Sequence, residues 1–378
     1  MALDWLVRDN ILKNHQIFGD EHFGTEPPCT TYEKKPLTDP KGKVADGLYV
    51  AWVTLNNPAQ FNSYTTEMVK GVIAGMNKAS LDREVQAVVF TGAGDRAFCS
   101  GGNIKEYAEY YTRRPKEYAD YIELFSLMVD GILRCHKPVI CRANGMRIAG
   151  GQEIGQACDL TIAADIASFG QAGTRHGSTP DGGSTDFLPL TLPTIEMAMW
   201  QCISNVQWSA YKMKRLGSVL EVVPIKKDKN GNWVRNPLVI TDKYVENGEL
   251  VYGELKTGEE AEKAKALFKE LTTDLTLLDQ KVNETIWHLV NLMPMCLMKA
   301  IETIRIKKRA FWDDTKVSAI YWLGANMNME ASIGFAAFNT SKETGTATID
   351  FIKYRQFLAQ GKMFDEELME AVLAKPKK

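Results

Sequence analysis

Residues 138–159 read PVICRANGMRIAGGQEIGQACD. Val139–Cys141 is a short apolar run of strand character, a glycine-marked turn follows, and Gly150-Gly151 open a predicted helix Gly150–Ala157 with Glu153 in its first turn. Glycine has no Cβ, so its backbone N–H can approach a ligand closely. The first N–H groups of a helix lack intrahelical acceptors and lie at the positive end of its dipole. A developing negative oxygen is stabilised there, and Glu153 would face the same ligand as acid or base. An ordinary helix start with an acidic first-turn residue has the same appearance, so the neighbouring sequence has to decide.

Working outward, Leu48–Leu55 and Val85–Thr91 are apolar runs expected as strands, and Leu160–Ala164 is another. Met68, Val72, Ile73 and Met76 recur at helical spacing over Thr65–Ser80. A second glycine-bearing loop, Ala97-Phe98-Cys99-Ser100-Gly101-Gly102-Asn103-Ile104, enters a helical region rich in tyrosine (Tyr107, Tyr110, Tyr111, Tyr118, Tyr121) that runs to about His136. Such tyrosines most often pack. Downstream, Phe169–Gly183 is a glycine-rich loop holding His176 and Asp181. Ser209–Gly217 reads as a short helix and Val219–Val223 as a short strand. Strands alternating with helices argue for parallel βαβ units with ligands at the strands' carboxyl ends. Both glycine loops follow strands and should open on one edge.

Three regions follow from this pattern: an extension at 1–46, a core at 47–258 that includes a surface insertion at 224–258, and a helical region at 259–378. Pro27, Pro28, Pro36 and Pro40 make the extension read as irregular. The insertion, rich in Lys, Asp, Asn and Gly, has hairpin character. From Glu259 one long amphipathic helix is expected to about Asn291. Pro294 breaks it, and further helices carry apolar residues (Ile320, Trp322, Leu323, Met327) suited to packing between subunits. The net charge of −2 gives no footprint for nucleic acid or an anionic membrane surface. No run reaches membrane-spanning length, and residues 1–15 carry charges inside their apolar part, unlike a signal peptide. The seven cysteines lack the paired spacing of a zinc site, so no metal is expected, and a reducing cytoplasmic setting fits them.

The segments VTLNNPAQFNSYT, VVFTGAGDRAFCSGGNIKE, KPVICRANGMRIAGGQEIGQACDLTIAA and FGQAGTRHGSTPDGGS together resemble the crotonase (enoyl-CoA hydratase/isomerase) superfamily over roughly residues 46–224. The resemblance implies an α/β fold, the ClpP-like spiral of repeated ββα turns with a C-terminal helical trimerisation region. It also implies a homotrimer or homohexamer, an acyl-CoA thioester as ligand, and no cofactor beyond the coenzyme A carried by the substrate. Carried over residue by residue, it puts two oxyanion-hole N–H groups on Ser100 and Gly150. Coenzyme A would lie along Ala97, Phe98, Gly101, Gly102, Asn103, Ile104 and Phe61, with Gly151 and His176 also at the ligand. Glu153 matches the first of the two glutamates of the family's hydratases, while the second falls on Gly173. The segment FGQAGTRHGSTPDGG at 169–183 resembles instead the branch holding dihydroxynaphthoyl-CoA synthases and cyclic oxoacyl-CoA hydrolases, in which a loop aspartate takes part in chemistry. That role falls on Asp181. Rival expectations are a hydratase or a dihydroxynaphthoyl-CoA synthase-like C–C bond enzyme of the same superfamily, and a non-catalytic scaffold that binds acyl-CoA.

Overall fold

The computed structural model of the chain describes residue 13, residues 20–362 and residues 364–375. The absence of a signal peptide was read from residues 1–15, which lie, Lys13 apart, outside the described residues.

β1 (Cys29–Thr38) and β2 (Val44–Asn56) pair antiparallel. The extension was expected to be irregular, yet ten of its residues form a strand. Of the prolines that argued otherwise, Pro27, Pro28 and Pro40 lie outside β1, and Pro36 is tolerated because β1 is an edge strand, where a missing N–H costs no ladder bond; Pro36 also adjoins a register shift. α1 (Thr66–Leu81) begins where the Thr65 hydroxyl accepts from the Met68 N–H. Next come β3 (Val85–Gly92), β4 (Ala97–Cys99), α2 (Ile104–Glu106), a π-helical turn over Tyr107–Tyr111, and α3 (Pro115–Leu133). β5 (Val139–Ala143), β6 (Met146–Ile148) and α4 (Gly150–Ala157) follow, then β7 (Leu160–Ala164), β8 (Ser168–Gly170), α5 (Ser184–Thr191) and α6 (Ile195–Ser204). β9 (Trp208–Ser209), α7 (Ala210–Arg215) and β10 (Glu221–Val223) complete the core.

The strands form two sheets, ordered β1-β2-β3-β5-β7-β10 and β4-β6-β8-β9. β3, β5 and β7 lie parallel in the first sheet, and their successors β4, β6 and β8 lie parallel in the second. Each turn of chain therefore crosses from one sheet to the other and then enters a helix, which is the ββα spiral. The three strand-to-helix corners stack on one edge, and they bring the two glycine loops together as expected.

The insertion holds two small hairpins, Lys226–Lys227 with Trp233–Val234 and Val245–Glu246 with Glu249–Leu250. The single helix expected over 259–291 is two, α8 (Gly258–Glu270) and α9 (Thr276–Val290). The β-branched pair Thr272–Thr273 extends the first hairpin by pairing with Lys226–Lys227, and Asp274 accepts from the Thr276 N–H at 2.8 Å to restart the helix. α9 seals the outer face of the first sheet, setting Leu278, Val282 and Ile286 on Val89, Ile140 and Ile162.

α10 (Pro294–Asn326), α11 (Glu330–Asn339), α12 (Ser341–Thr344), α13 (Phe351–Ala359) and α14 (Glu366–Val372) end the described chain. α10 lies on α3 of its own chain, so Leu323 and Met327, expected between subunits, are buried within this one. Arg305 fastens the helix by donating to Asp159 and to the carbonyls of Cys135 and Lys137. Among the described residues, no helix is long and apolar enough to cross a membrane.

Gly131 gives a test of this packing. A Cβ built there meets only Met76 Cβ, at 3.7 Å. Gly131→Ala should stabilise α3 by about 0.5–1 kcal/mol, read as a higher urea midpoint at unchanged slope. A lower midpoint would mean that α3 and α1 pack more tightly than described.

Candidate active site

The β6-to-α4 and β4-to-α2 corners pack backbone against backbone, and glycine makes this possible. Gly101 has φ +100° and a Cβ on it would stand 3.1 Å from the Gly150 nitrogen. A Cβ on Gly151 would fall 2.2 Å from the Cys99 carbonyl oxygen. The β4-to-α2 corner is held further by Tyr64, whose N–H donates to the Gly101 carbonyl at 3.0 Å and whose carbonyl accepts from the Asn103 N–H at 2.9 Å.

One expectation is corrected here. The Ser100 N–H is not available to a ligand, because it donates to the Phe61 carbonyl at 3.1 Å. The Gly102 N–H, two residues on, has no acceptor among the described residues, and neither has that of Gly150, which opens α4. Both glycines line a cavity of about 750 Å³.

Glu153, one helical turn into α4, faces the same cavity although only 6% exposed. Its Oε1 accepts from the Gly182 N–H at 3.0 Å. Gly182 must be glycine for this approach, since a Cβ there would lie 2.4 Å from Glu153 Oε2. Burial and, after it, the charge of Asp181 push the Glu153 carboxyl up to about 8, against the pull of the Gly182 and Ser184 N–H groups. It is therefore protonated at neutral pH. Asp181 also reaches the cavity, where its Oδ2 accepts from the Thr179 hydroxyl at 2.7 Å. Two carboxyls in different environments thus share one site. Gly173 lines the cavity without supplying a third, and the Ser178 backbone fills the space that a side chain there would need, 3.0 Å from an ideal Cβ.

Of the other expected residues, Phe61, Gly102, Asn103, Ile104 and His176 line the cavity, as does Ser100 itself. His176 meets Phe338 edge-on at 5.5 Å, and its buried Nδ1 has no hydrogen-bond partner among the described residues. Burial lowers its pKa from the usual 6.5, so the ring is neutral. Ala97, Phe98, Gly101 and Gly151 stand behind the wall and shape it. The Ala97 carbonyl is taken by Asn62 and Asn144, at 2.7 and 3.0 Å, and Phe98 packs edge-on against Phe90. Arg142 and Arg147 are structural, donating to Asp279 at 2.6 Å and to Gln152 and Thr161 at 2.8 Å each.

Sequence reading missed Tyr64 and the far wall of the cavity. Phe335, Phe338 and Lys342, from α11 and α12, line the cavity as well. These contacts span more than 150 residues, and no local pattern announces them. Tyr64 sits inside a quoted motif, and its signal was the tyrosine itself in an otherwise small polar segment.

The sequence profile of the enoyl-CoA hydratase/isomerase family matches residues 47–287. A 6-oxocyclohex-1-ene-1-carbonyl-CoA hydrolase of Syntrophus aciditrophicus is 59% identical over 380 aligned positions, covering 100% of this chain and 99% of that one. Proteins of the same name from Geobacter metallireducens and Thauera aromatica are 48% and 49% identical, covering 96% and 92% of this chain and 95% and 92% of their own. Among solved structures, an enoyl-CoA hydratase of Mycobacterium avium subsp. paratuberculosis superposes with a TM-score of 0.57 at 21% identity, over 82% of this chain and 95% of that one, a likeness of fold. A profile that spans the whole ββα core, together with relatives alike from end to end, means that the chain belongs to the enoyl-CoA hydratase/isomerase family.

Proposed function

We propose that this protein is a ring-opening hydrolase acting on 6-oxocyclohex-1-ene-1-carbonyl-CoA. It would add one water to the conjugated double bond and use a second to cleave the ring, giving 3-hydroxypimeloyl-CoA in anaerobic aromatic (benzoyl-CoA) degradation. The observation that carries the reading is the buried Glu153, its carboxyl pushed up to about 8 by burial and then by Asp181 beside it, in a cavity that also presents two backbone donors without acceptors among the described residues. The name shared by three end-to-end relatives supports the choice of substrate.

The mechanism follows from the pair. The N–H groups of Gly102 and Gly150 hold the thioester oxygen, where two preorganised donors stabilise an enolate by several kcal/mol. Asp181 takes a proton from the first water, which bonds to the β carbon. The electron pair of the double bond moves into the thioester enolate, and neutral Glu153 protonates the α carbon. Proton exchange between the carboxyls and solvent resets the pair. The second water, again relieved of a proton by Asp181, attacks the ring ketone. The bond from the ketone carbon to the α carbon breaks, its electrons return to the same enolate, and Glu153 protonates the α carbon again. One oxyanion site and one acid–base pair serve both steps. No group beyond the substrate's own coenzyme A enters this scheme.

The working unit in this reading is a homotrimer or homohexamer in the cytoplasm. Ile195, Met199, Trp200 and Ile203 of α6 form an apolar face exposed on the isolated chain, and all seven cysteines are free thiols.

The test is product mass after incubating the pure protein with 6-oxocyclohex-1-ene-1-carbonyl-CoA. A gain of two waters is expected. A gain of one would leave a hydratase, and no change would favour a binding scaffold.

A further inference from the structure

Around the cavity, several tyrosine hydroxyls are already engaged: Tyr107 with Tyr121 at 2.6 Å, and Tyr111 with Thr66 at 2.6 Å. Tyr64 differs. Its side chain is 3% exposed and lines the cavity, yet its hydroxyl makes no hydrogen bond among the described residues. Its main chain is pinned on both sides to the Gly101–Asn103 corner, and its ring leans on Phe125 at 5.8 Å between centroids. The hydroxyl lies hard against Gly150, for a Cβ on Gly150 would stand 1.8 Å from Tyr64 Oη. Burial raises its pKa well above 10, so it is a neutral donor at any working pH. At the cavity wall the hydroxyl is placed to donate to a ligand.

The substrate supplies the acceptor. In a thioester with a ketone on the β carbon, the two carbonyl oxygens stand in a 1,3 relation. When they point the same way, they are about one hydrogen-bond length apart. A thioester oxygen held between the Gly102 and Gly150 N–H groups therefore brings the ketone oxygen next to Gly150, where the Tyr64 hydroxyl points. Resting on the ring-opening reading above, we propose that Tyr64 donates to the ring-ketone oxygen. It would thereby select β-oxo acyl-CoA thioesters and stabilise the alkoxide formed when water attacks the ketone. In that step the new C–O bond forms at the ketone carbon, and the carbonyl π pair moves onto the oxygen beside Tyr64. Collapse restores a C=O as part of the new carboxyl group and breaks the C–C bond toward the enolate. Tyr64 keeps its proton throughout.

Tyr64→Phe removes only the donor and tests this. With the ketone substrate, kcat/KM for ring opening should fall by about 100-fold, and the singly hydrated, unopened thioester should accumulate. The ketone-free thioester cyclohex-1-ene-1-carbonyl-CoA should lose far less. Equal losses on both substrates, or undiminished ring opening, would overturn the assignment. A binding measurement separates its fate from that of the proposed function. In the Glu153→Gln background, 2-oxocyclohexane-1-carbonyl-CoA should bind about tenfold more tightly than cyclohexane-1-carbonyl-CoA, and Tyr64→Phe should erase that preference. If no such preference exists, the inference fails whatever the turnover shows. Wild-type protein that discriminates between these ligands but opens no ring would refute the function and keep the contact.

Discussion

Glu153→Gln is expected to lower kcat/KM for ring opening by about 1,000-fold or more, with little change in fold or in thioester binding. General acid–base groups supply about 10²–10⁴-fold, and this one serves twice per turnover. Glutamine has the shape of a protonated glutamate and still offers an oxygen to the Gly182 N–H, which donates to Glu153 at 3.0 Å. It cannot give a proton to carbon. The pH profile sharpens the test. With the Glu153 pKa at about 8, kcat/KM in the wild type should be level below that pH and fall above it, as the acid form is lost. A rate that climbs through pH 8 would make Glu153 the base and reverse its role with Asp181. Stability carries the same signature. The folded-state pKa lies above the unfolded value of about 4.3, so this group's contribution is fully present below that value and is lost as pH rises through about 8. Glu153→Gln should remove this part of the alkaline loss of stability.

The second large effect is Gly151→Ala. A Cβ on residue 151 would stand 2.2 Å from the Cys99 carbonyl oxygen and 2.7 Å from its carbon. These are backbone atoms of β4, which pairs with β6 through Ala97–Met146 and Cys99–Arg147, so neither side can yield cheaply. The start of α4 must move off by roughly 1 Å to restore ordinary contact, and it carries the Gly150 N–H away from that of Gly102. A displacement of that size at reacting groups costs on the order of 100-fold, and overpacking costs about 1–3 kcal/mol of stability. Turnover and a urea curve check both. The contrast with Gly131→Ala is informative, since the same substitution in another helix of the same chain should stabilise it. If Gly151→Ala were neutral in both measurements, the two corners would not be packed as described.

The legible parts of this protein were those written in contiguous residues. α4 begins and ends where Gly150 and Ala157 suggested, and β7 matches Leu160–Ala164, because an apolar run and a double glycine are local signals. The Ser100 N–H was misread as available for a physical reason. It is captured by the Phe61 carbonyl, a bond across about forty residues, while the Gly102 N–H has no acceptor among the described residues. β1 was hidden by the prolines around it and by Pro36 within it, which is tolerated because the strand lies at a sheet edge. The wall of Phe335, Phe338 and Lys342 depends on how α10 lies along α3, and the buried Arg305–Asp159 pair that fixes it joins residues far apart in the chain. The environment that keeps Glu153 protonated was equally invisible, since burial belongs to the fold and the neighbouring charge comes from a loop near residue 181.

The account turns on one pair of carboxyls delivering two different waters to one ring. Turnover of 6-oxocyclohex-1-ene-1-carbonyl-CoA in ¹⁸O-labelled water, followed by fragmentation of the product thioester, reads this directly. The account predicts an open-chain product with one labelled oxygen in the hydroxyl group β to the thioester and one in the new carboxylate. A product labelled only at the hydroxyl, with its ring intact, would contradict it.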